Sequence, residues 1–216
     1  MSAVTSPPPT ASDPAPGPPV TTSSWAGGWL IGARGCPSPN FNARPIGTAP
    51  DLVVLHSISL PPGRFGGSAI EELFLNRLDW DADPYYDEIR GIEVSAHFLI
   101  RRTGELVQFV SCDERAWHAG LSAWRGRGPC NDYSIGIELE GLEGSTFDAS
   151  QYEALARLLR AVGTRYPIAA VAGHEHVAPG RKRDPGPGFD WERLVASTAW
   201  PRSRFSDVFT SDGNPD

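Results

Sequence analysis

Five histidines, His56, His97, His118, His174 and His176, stand among a handful of residues whose types suit metal and acid–base chemistry. His56 follows the apolar run Leu52-Val53-Val54-Leu55, and His174 follows the run from Ile168 to Ala172. Both runs read as buried strands, and strand ends are where an open sheet presents side chains to a crevice. Asp184 lies ten residues beyond His174 on a loop rich in Pro and Gly. Two imidazoles and one carboxylate form a three-ligand set for catalytic Zn²⁺, with a fourth position left for water or substrate. On spacing alone His176 competes with His174 for the second place. Asp before Pro is also a common turn residue.

Glu138 lies in the alternating segment Ser134–Glu140. There Ile135, Ile137 and Leu139 share one face, and Ser134, Gly136, Glu138 and Glu140 share the other. A carboxylate beside a metal site is a candidate general base; on an ordinary alternating strand it would face solvent. Lys182, the only lysine in the chain, lies two residues before Asp184. It is either a surface residue in the basic run Arg181-Lys182-Arg183 or a compact ammonium placed to stabilise an oxyanion.

The elements that must position these groups follow from pattern. Ser68-Ala69-Ile70-Glu71 has the form of a helix capping box, predicting a helix to about Asn76. Val94–Ile100 and Leu106–Val110 flank a turn at Arg102-Thr103-Gly104 and predict a hairpin. Tyr152, Leu155, Ala156, Leu159 and Val162 recur at helical spacing after Asp148, predicting a helix to about Tyr166. A last short helix is expected after Asp190. The fold class is α/β, a central mixed β-sheet flanked by helices. Residues 1–24, rich in Pro, Ala, Ser and Thr, read as a disordered tail. The folded domain is expected over 25–200, with a flexible C-terminal tail over 201–216.

Composition excludes several classes. The formal charge is −7, which argues against a nucleic-acid binder. No apolar run is long enough to span a bilayer, and the N-terminus lacks the basic and apolar regions of a signal peptide, so the expected location is cytoplasmic. Cys36, Cys112 and Cys130 are odd in number and lack metal-knuckle spacing, so they are expected as reduced thiols. No obligate protein partner is indicated.

The segments LVVLHSISLPPGRFGG, VSAHFLIRRTGELVQFV, RAWHAGLSAWRGRGPCNDYSIGIELEG and GHEHVAPGRKRDPGPGFDW resemble the type 2 N-acetylmuramoyl-L-alanine amidase family, in its 1,6-anhydro-muropeptide branch. The resemblance runs from about Trp25 to Leu194. It implies the fold shared with peptidoglycan recognition proteins, and zinc-dependent cleavage between (anhydro-)N-acetylmuramic acid and L-alanine in cell-wall recycling. It assigns His56, His174 and Asp184 as metal ligands, which demotes His176. It assigns Glu138 as general base and Lys182 as transition-state stabiliser. It places Ser57, His97, Trp117 and His118 along the substrate groove. The family pattern has Asn at position 57 and Arg at 93 and 129, where this chain has Ser57, Glu93 and Pro129. Arg125 and Arg127 are the candidate replacements for the missing arginines. The competing reading is a muropeptide-binding sensor without catalysis; the complete set of ligands, base and lysine favours an enzyme.

Overall fold

The computed structural model describes residues 24–209. The expected N-terminal tail, apart from Ser24, and residues 210–216 lie outside the described residues. In chain order the strands are β1 (Trp25–Ala26), β2 (Trp29–Leu30), β3 (Arg34–Gly35), β4 (Phe41–Asn42), β5 (Leu52–Ile58), β6 (Phe98–Ile100), β7 (Leu106–Gln108), β8 (Arg115–Ala116), β9 (Ser134–Glu140) and β10 (Ala170–Gly173). The helices are α1 (Ala69–Phe74), α2 (Ala149–Arg165), α3 (His174–Val177) and α4 (Trp191–Ser197). A six-stranded sheet runs β10-β5-β9-β6-β7-β3. Its β6–β7 pair is antiparallel and the remaining pairs are parallel, so the expected mixed sheet is what forms.

Side-chain parity divides this sheet cleanly. Val53, Leu55, Phe98, Ile100, Ile135, Ile137, Leu139 and Val171 point to one face. There they pack against Tyr152, Leu155, Leu158, Leu159 and Val162 of α2. The other face carries two separate apolar clusters. One gathers Leu60, Ile70, Leu73, Phe74, Leu99, Val107 and Phe109. The other gathers Leu52, Val54, Ala119, Cys130, Tyr133, Ala170 and Ala172. Between them stand His56 of β5 and Glu138 of β9, directly opposite each other in the parallel register. The chemistry therefore sits where the second face has polar side chains in place of a third stretch of core.

Several boundaries differ from expectation. Ser68 caps nothing with its side chain: its Oγ donates to Glu72 Oε1. Glu71 instead accepts from Arg34 and Arg101, so the capping box does not form. The strand expected from Val94 starts only at Phe98, because Ser95 bonds sideways to Trp117 through both its backbone N–H and its Oγ. The last helix begins as expected, with Asp190 accepting from the Arg193 N–H.

The C-terminal boundary is corrected. Arg202–Phe209 form a 3₁₀ helix, and Phe205 is fully buried in the α2-side core together with Val208. The folded part thus reaches Phe209 rather than ending at residue 200. A short segment with two apolar anchors, Phe205 and Val208, is too brief to show a period in sequence. No described helix is long and apolar enough to cross a membrane. All three cysteines are unpaired.

Candidate active site

Parallel pairing puts β10, β5 and β9 side by side, so residues at their C-terminal ends meet in space. His56 is on β5 and His174 follows β10. The loop after α3 then folds back, bringing Asp184 beneath both rings; its backbone carbonyl accepts from the Glu175 N–H. His56 Nδ1 and His174 Nδ1 lie 2.9 Å apart. Asp184 Oδ2 is 3.2 Å from the first and 3.1 Å from the second. His56 and His174 are almost fully buried, and Asp184 is 9% exposed.

This triangle fits a tetrahedral zinc ion. Ligand bonds of ~2.0–2.1 Å place neighbouring donor atoms about 3.3 Å apart, close to the three sides observed. The hydrogen-bond chemistry agrees. His174 Nε2 is 3.2 Å from the carbonyl oxygen of Ala119; a carbonyl only accepts, so that nitrogen carries the proton and Nδ1 offers a lone pair. His56 Nε2 faces His118 Nδ1 at 2.9 Å, leaving His56 Nδ1 for the metal side. Burial and the neighbouring His174 lower the pKa of His56 to about 4, so the ring is neutral near pH 7 and competent as a ligand. Two imidazole lone pairs and a carboxylate oxygen converging within hydrogen-bond distance is a repulsive arrangement that a dication turns into an attractive one. His176 stays outside this group: its Nδ1 accepts from the Gly173 N–H.

Glu138 is 8% exposed rather than solvated. Its Oε2 is one of three buried side-chain polar atoms among the described residues with no hydrogen-bond partner, and Ser57 Oγ is another. Burial and the negative charge of Asp184 push the Glu138 carboxyl well above the usual range, and the charge of Lys182 opposes them. A buried carboxylate with an unpartnered oxygen, on the strand beside the His56–His174–Asp184 triangle, is poised to exchange a proton.

His56, Ser57, His118, Glu138, His174, Lys182 and Asp184 line one cleft of about 670 Å³. The same cleft is lined by Leu60, Leu73, Phe74, Tyr85 and Ile89, which pack together in one apolar cluster, and by Ile92. The cleft therefore offers a polar, metal-competent floor and an apolar side, as suits an amphipathic substrate.

Two of the expected groove residues are elsewhere. His97 is fully buried. The Gly136 N–H donates to its Nδ1, and its Nε2 faces the Glu114 carbonyl oxygen at 3.1 Å. Burial and the nearby Arg44 lower its pKa to about 3, so it is a neutral brace between β9 and the loop before β8. Trp117 is half-buried outside the cleft, with its indole N–H donating to Asn42 Oδ1. Arg125 and Arg127, the candidate replacements for the absent arginines, are held in ion pairs and are not among the residues that line the cleft. Arg125 forks onto Asp207. Arg127 pairs with Asp51 and stacks over Tyr133.

The sequence reading missed Arg44. Its guanidinium is largely buried and donates to the carbonyl oxygens of Cys112, Asn131, Asp132 and Ser134. It fixes the segment that enters β9, yet it stands in an unpatterned loop where nothing local announces it.

Comparison with known proteins agrees with this geometry. The family model described as N-acetylmuramoyl-L-alanine amidase matches residues 46–187. The 1,6-anhydro-N-acetylmuramyl-L-alanine amidase AmpD of Salmonella typhimurium (strain SL1344) is 52% identical over 174 residues, covering 80% of this chain and 93% of the relative. A crystal structure of a selenomethionine AmpD derivative superposes with a TM-score of 0.78 at 52% identity, over 80% of this chain and 98% of that one. The Escherichia coli N-acetylmuramyl-L-alanine amidase AmiD, solved with anhydro-N-acetylmuramic acid-L-Ala-D-γ-Glu-L-Lys, matches at 29% identity and a TM-score of 0.51, over 80% and 68% of the two chains. A match of this extent, over a cleft that holds a His-His-Asp triangle and a buried glutamate, places the chain in the N-acetylmuramoyl-L-alanine amidase family.

Proposed function

We propose that this amidase is zinc-dependent and cleaves the amide between 1,6-anhydro-N-acetylmuramic acid and L-alanine in muropeptides, in cytoplasmic cell-wall recycling. The observation that carries the metal reading is the triangle of His56 Nδ1, His174 Nδ1 and Asp184 Oδ2. The substrate reading rests on AmpD and on AmiD, whose complex holds an anhydro-muramyl peptide.

Zinc held by His56, His174 and Asp184 would supply Lewis acidity to the attacking water and the scissile carbonyl. Glu138 accepts the proton of the water at its unpartnered Oε2 and returns it to the departing alanine nitrogen. The ammonium of Lys182, on the cleft rim, offsets the negative oxygen that develops on the carbonyl. The apolar wall from Leu60 to Ile92 receives the less polar part of the substrate and keeps bulk water from the bond being cut.

The test is mass spectrometry of an anhydro-muropeptide incubated with the protein, with and without a chelator. Release of free peptide and anhydro sugar, lost on chelation and restored by Zn²⁺, is the expected result. Intact substrate with zinc fully bound would favour the muropeptide-binding sensor instead.

A further inference from the structure

His118, expected along the substrate groove, lines the cleft and stands directly behind His56. Its Nδ1 is 2.9 Å from His56 Nε2, and its Nε2 is 3.1 Å from Ser134 Oγ. Ser134 Oγ in turn donates to the Cys130 carbonyl oxygen at 2.7 Å. A hydroxyl has one proton, and Ser134 gives its own to Cys130. Ser134 Oγ can then only accept from His118, so His118 carries its proton on Nε2 and has a lone pair on Nδ1. That lone pair accepts from His56 Nε2–H, and the lone pair of His56 is left on Nδ1, the atom facing His174 and Asp184. One carbonyl oxygen thus sets two histidine tautomers in succession.

The surroundings are shaped to hold this chain of bonds. Ser134 is fully buried and His118 nearly so. Asn131 Oδ1 accepts from the backbone N–H groups of both His118 and Ala119, which fixes the turn that carries the ring. The His118 ring lies edge-on to His56, with centroids 5.0 Å apart. It also fills the space above Gly136: a Cβ there would come within 2.4 Å of His118 Cγ. Glycine at this point of β9, between Ser134 and Glu138 on the same face, makes room for the imidazole.

We propose that Ser134 and His118 are positioning residues for the metal centre: together they hold His56 in the Nε2–H tautomer that presents Nδ1 to the ion. The inference rests on the zinc reading above, and wild-type zinc binding is measured first to keep the two apart. Zinc affinity is read by competition with a chromophoric chelator, and the His56 tautomer in the metal-free protein by long-range ¹H–¹⁵N NMR.

Ser134→Ala removes only an oxygen and is expected to weaken zinc binding by about 10–100-fold, with His56 populating both tautomers. His118→Phe keeps a ring over Gly136 but no acceptor, and is expected to cost a similar factor. Because both act through one chain of bonds, His118→Phe should add little in the Ser134→Ala background. Unchanged affinity and tautomer in Ser134→Ala, or costs that multiply in the double variant, would overturn the proposal. Absence of stoichiometric zinc in the wild type would overturn the zinc reading itself.

Discussion

Replacing Arg101 by Met should cost far more than removing its neighbour Arg102, although both belong to ion pairs. Arg101 is 7% exposed and makes three charge-assisted contacts. Its guanidinium donates to Glu140 Oε1 at 3.0 Å, to Glu71 Oε1 at 2.6 Å and to the Gly67 carbonyl at 3.0 Å. Glu140 is 2% exposed. Without Arg101 its charge keeps only the backbone N–H groups of Gly66 and Arg102. Breaking a buried pair by removing one partner costs ~3–5 kcal/mol. The two remaining donors on Glu140, and Arg34 on Glu71, put Arg101→Met near ~3 kcal/mol. At roughly 2–4 °C per kcal/mol for a domain of this size, its melting temperature should fall by about 6–12 °C. Arg102 pairs with Asp148 at 27% and 46% side-chain exposure, so Arg102→Met should cost no more than ~1 kcal/mol. Adding Glu140→Gln to Arg101→Met should recover part of the loss, because the penalty lies in the uncompensated charge. The same network tethers Gly66 and Gly67, in the segment that carries the cleft-lining Leu60 and Pro62. Arg101→Met should therefore raise KM while zinc content stays intact. A melting temperature within about 2 °C of wild type in differential scanning calorimetry, or no recovery in the double variant, would refute the reasoning.

Three further outcomes are expected. Lys182→Ala should lower turnover by about two to three orders of magnitude with zinc content unchanged, the usual scale for one preorganised charge contact; near-normal turnover would remove Lys182 from the reaction. Stripping zinc should lower the melting temperature, and restoring it at ~1,000 times its dissociation constant should return ~4 kcal/mol; a melting temperature indifferent to chelator would contradict the His56–His174–Asp184 centre. Glu71, hydrogen-bonded by Arg34 and then Arg101, has its pKa lowered to about 2. A lowered carboxylate contributes stability that is full above about 4.5 and is lost as pH falls toward 2. The stability gap between wild type and Glu71→Gln should accordingly shrink across that window in pH-dependent denaturation, and a constant gap would discount the Arg34 and Arg101 contacts.

What the sequence made legible, and what it hid, divides along the period of a strand. Alternation in Ser134–Glu140 put Ile135, Ile137 and Leu139 on one core-facing side with Glu138 on the other, and the structure packs that side against α2. Family motifs named His56, His174 and Asp184, which the parallel strands and the loop after α3 bring together. Both signals are local: one is a two-residue period and the other a run of consecutive letters. The separate roles of the other histidines depend instead on what lies across from them. His97 and His118 sit in motifs of equal appearance, yet one braces two backbone segments and the other backs a ligand. The difference is set by Arg44 in one loop and by Ser134 and the absent side chain of Gly136 on β9, two stretches far apart in the chain. Phe205 was hidden for a similar reason, since the segment that carries it packs on β10 and α4, far from it in sequence or across a turn. A histidine's role in this fold is therefore fixed by which donors and acceptors reach its two nitrogens, a property of the assembled sheet that no single segment carries. That is also why Ser134, on the strand beside His56 and invisible as a functional residue by spacing, is positioned to decide which nitrogen of His56 faces His174 and Asp184.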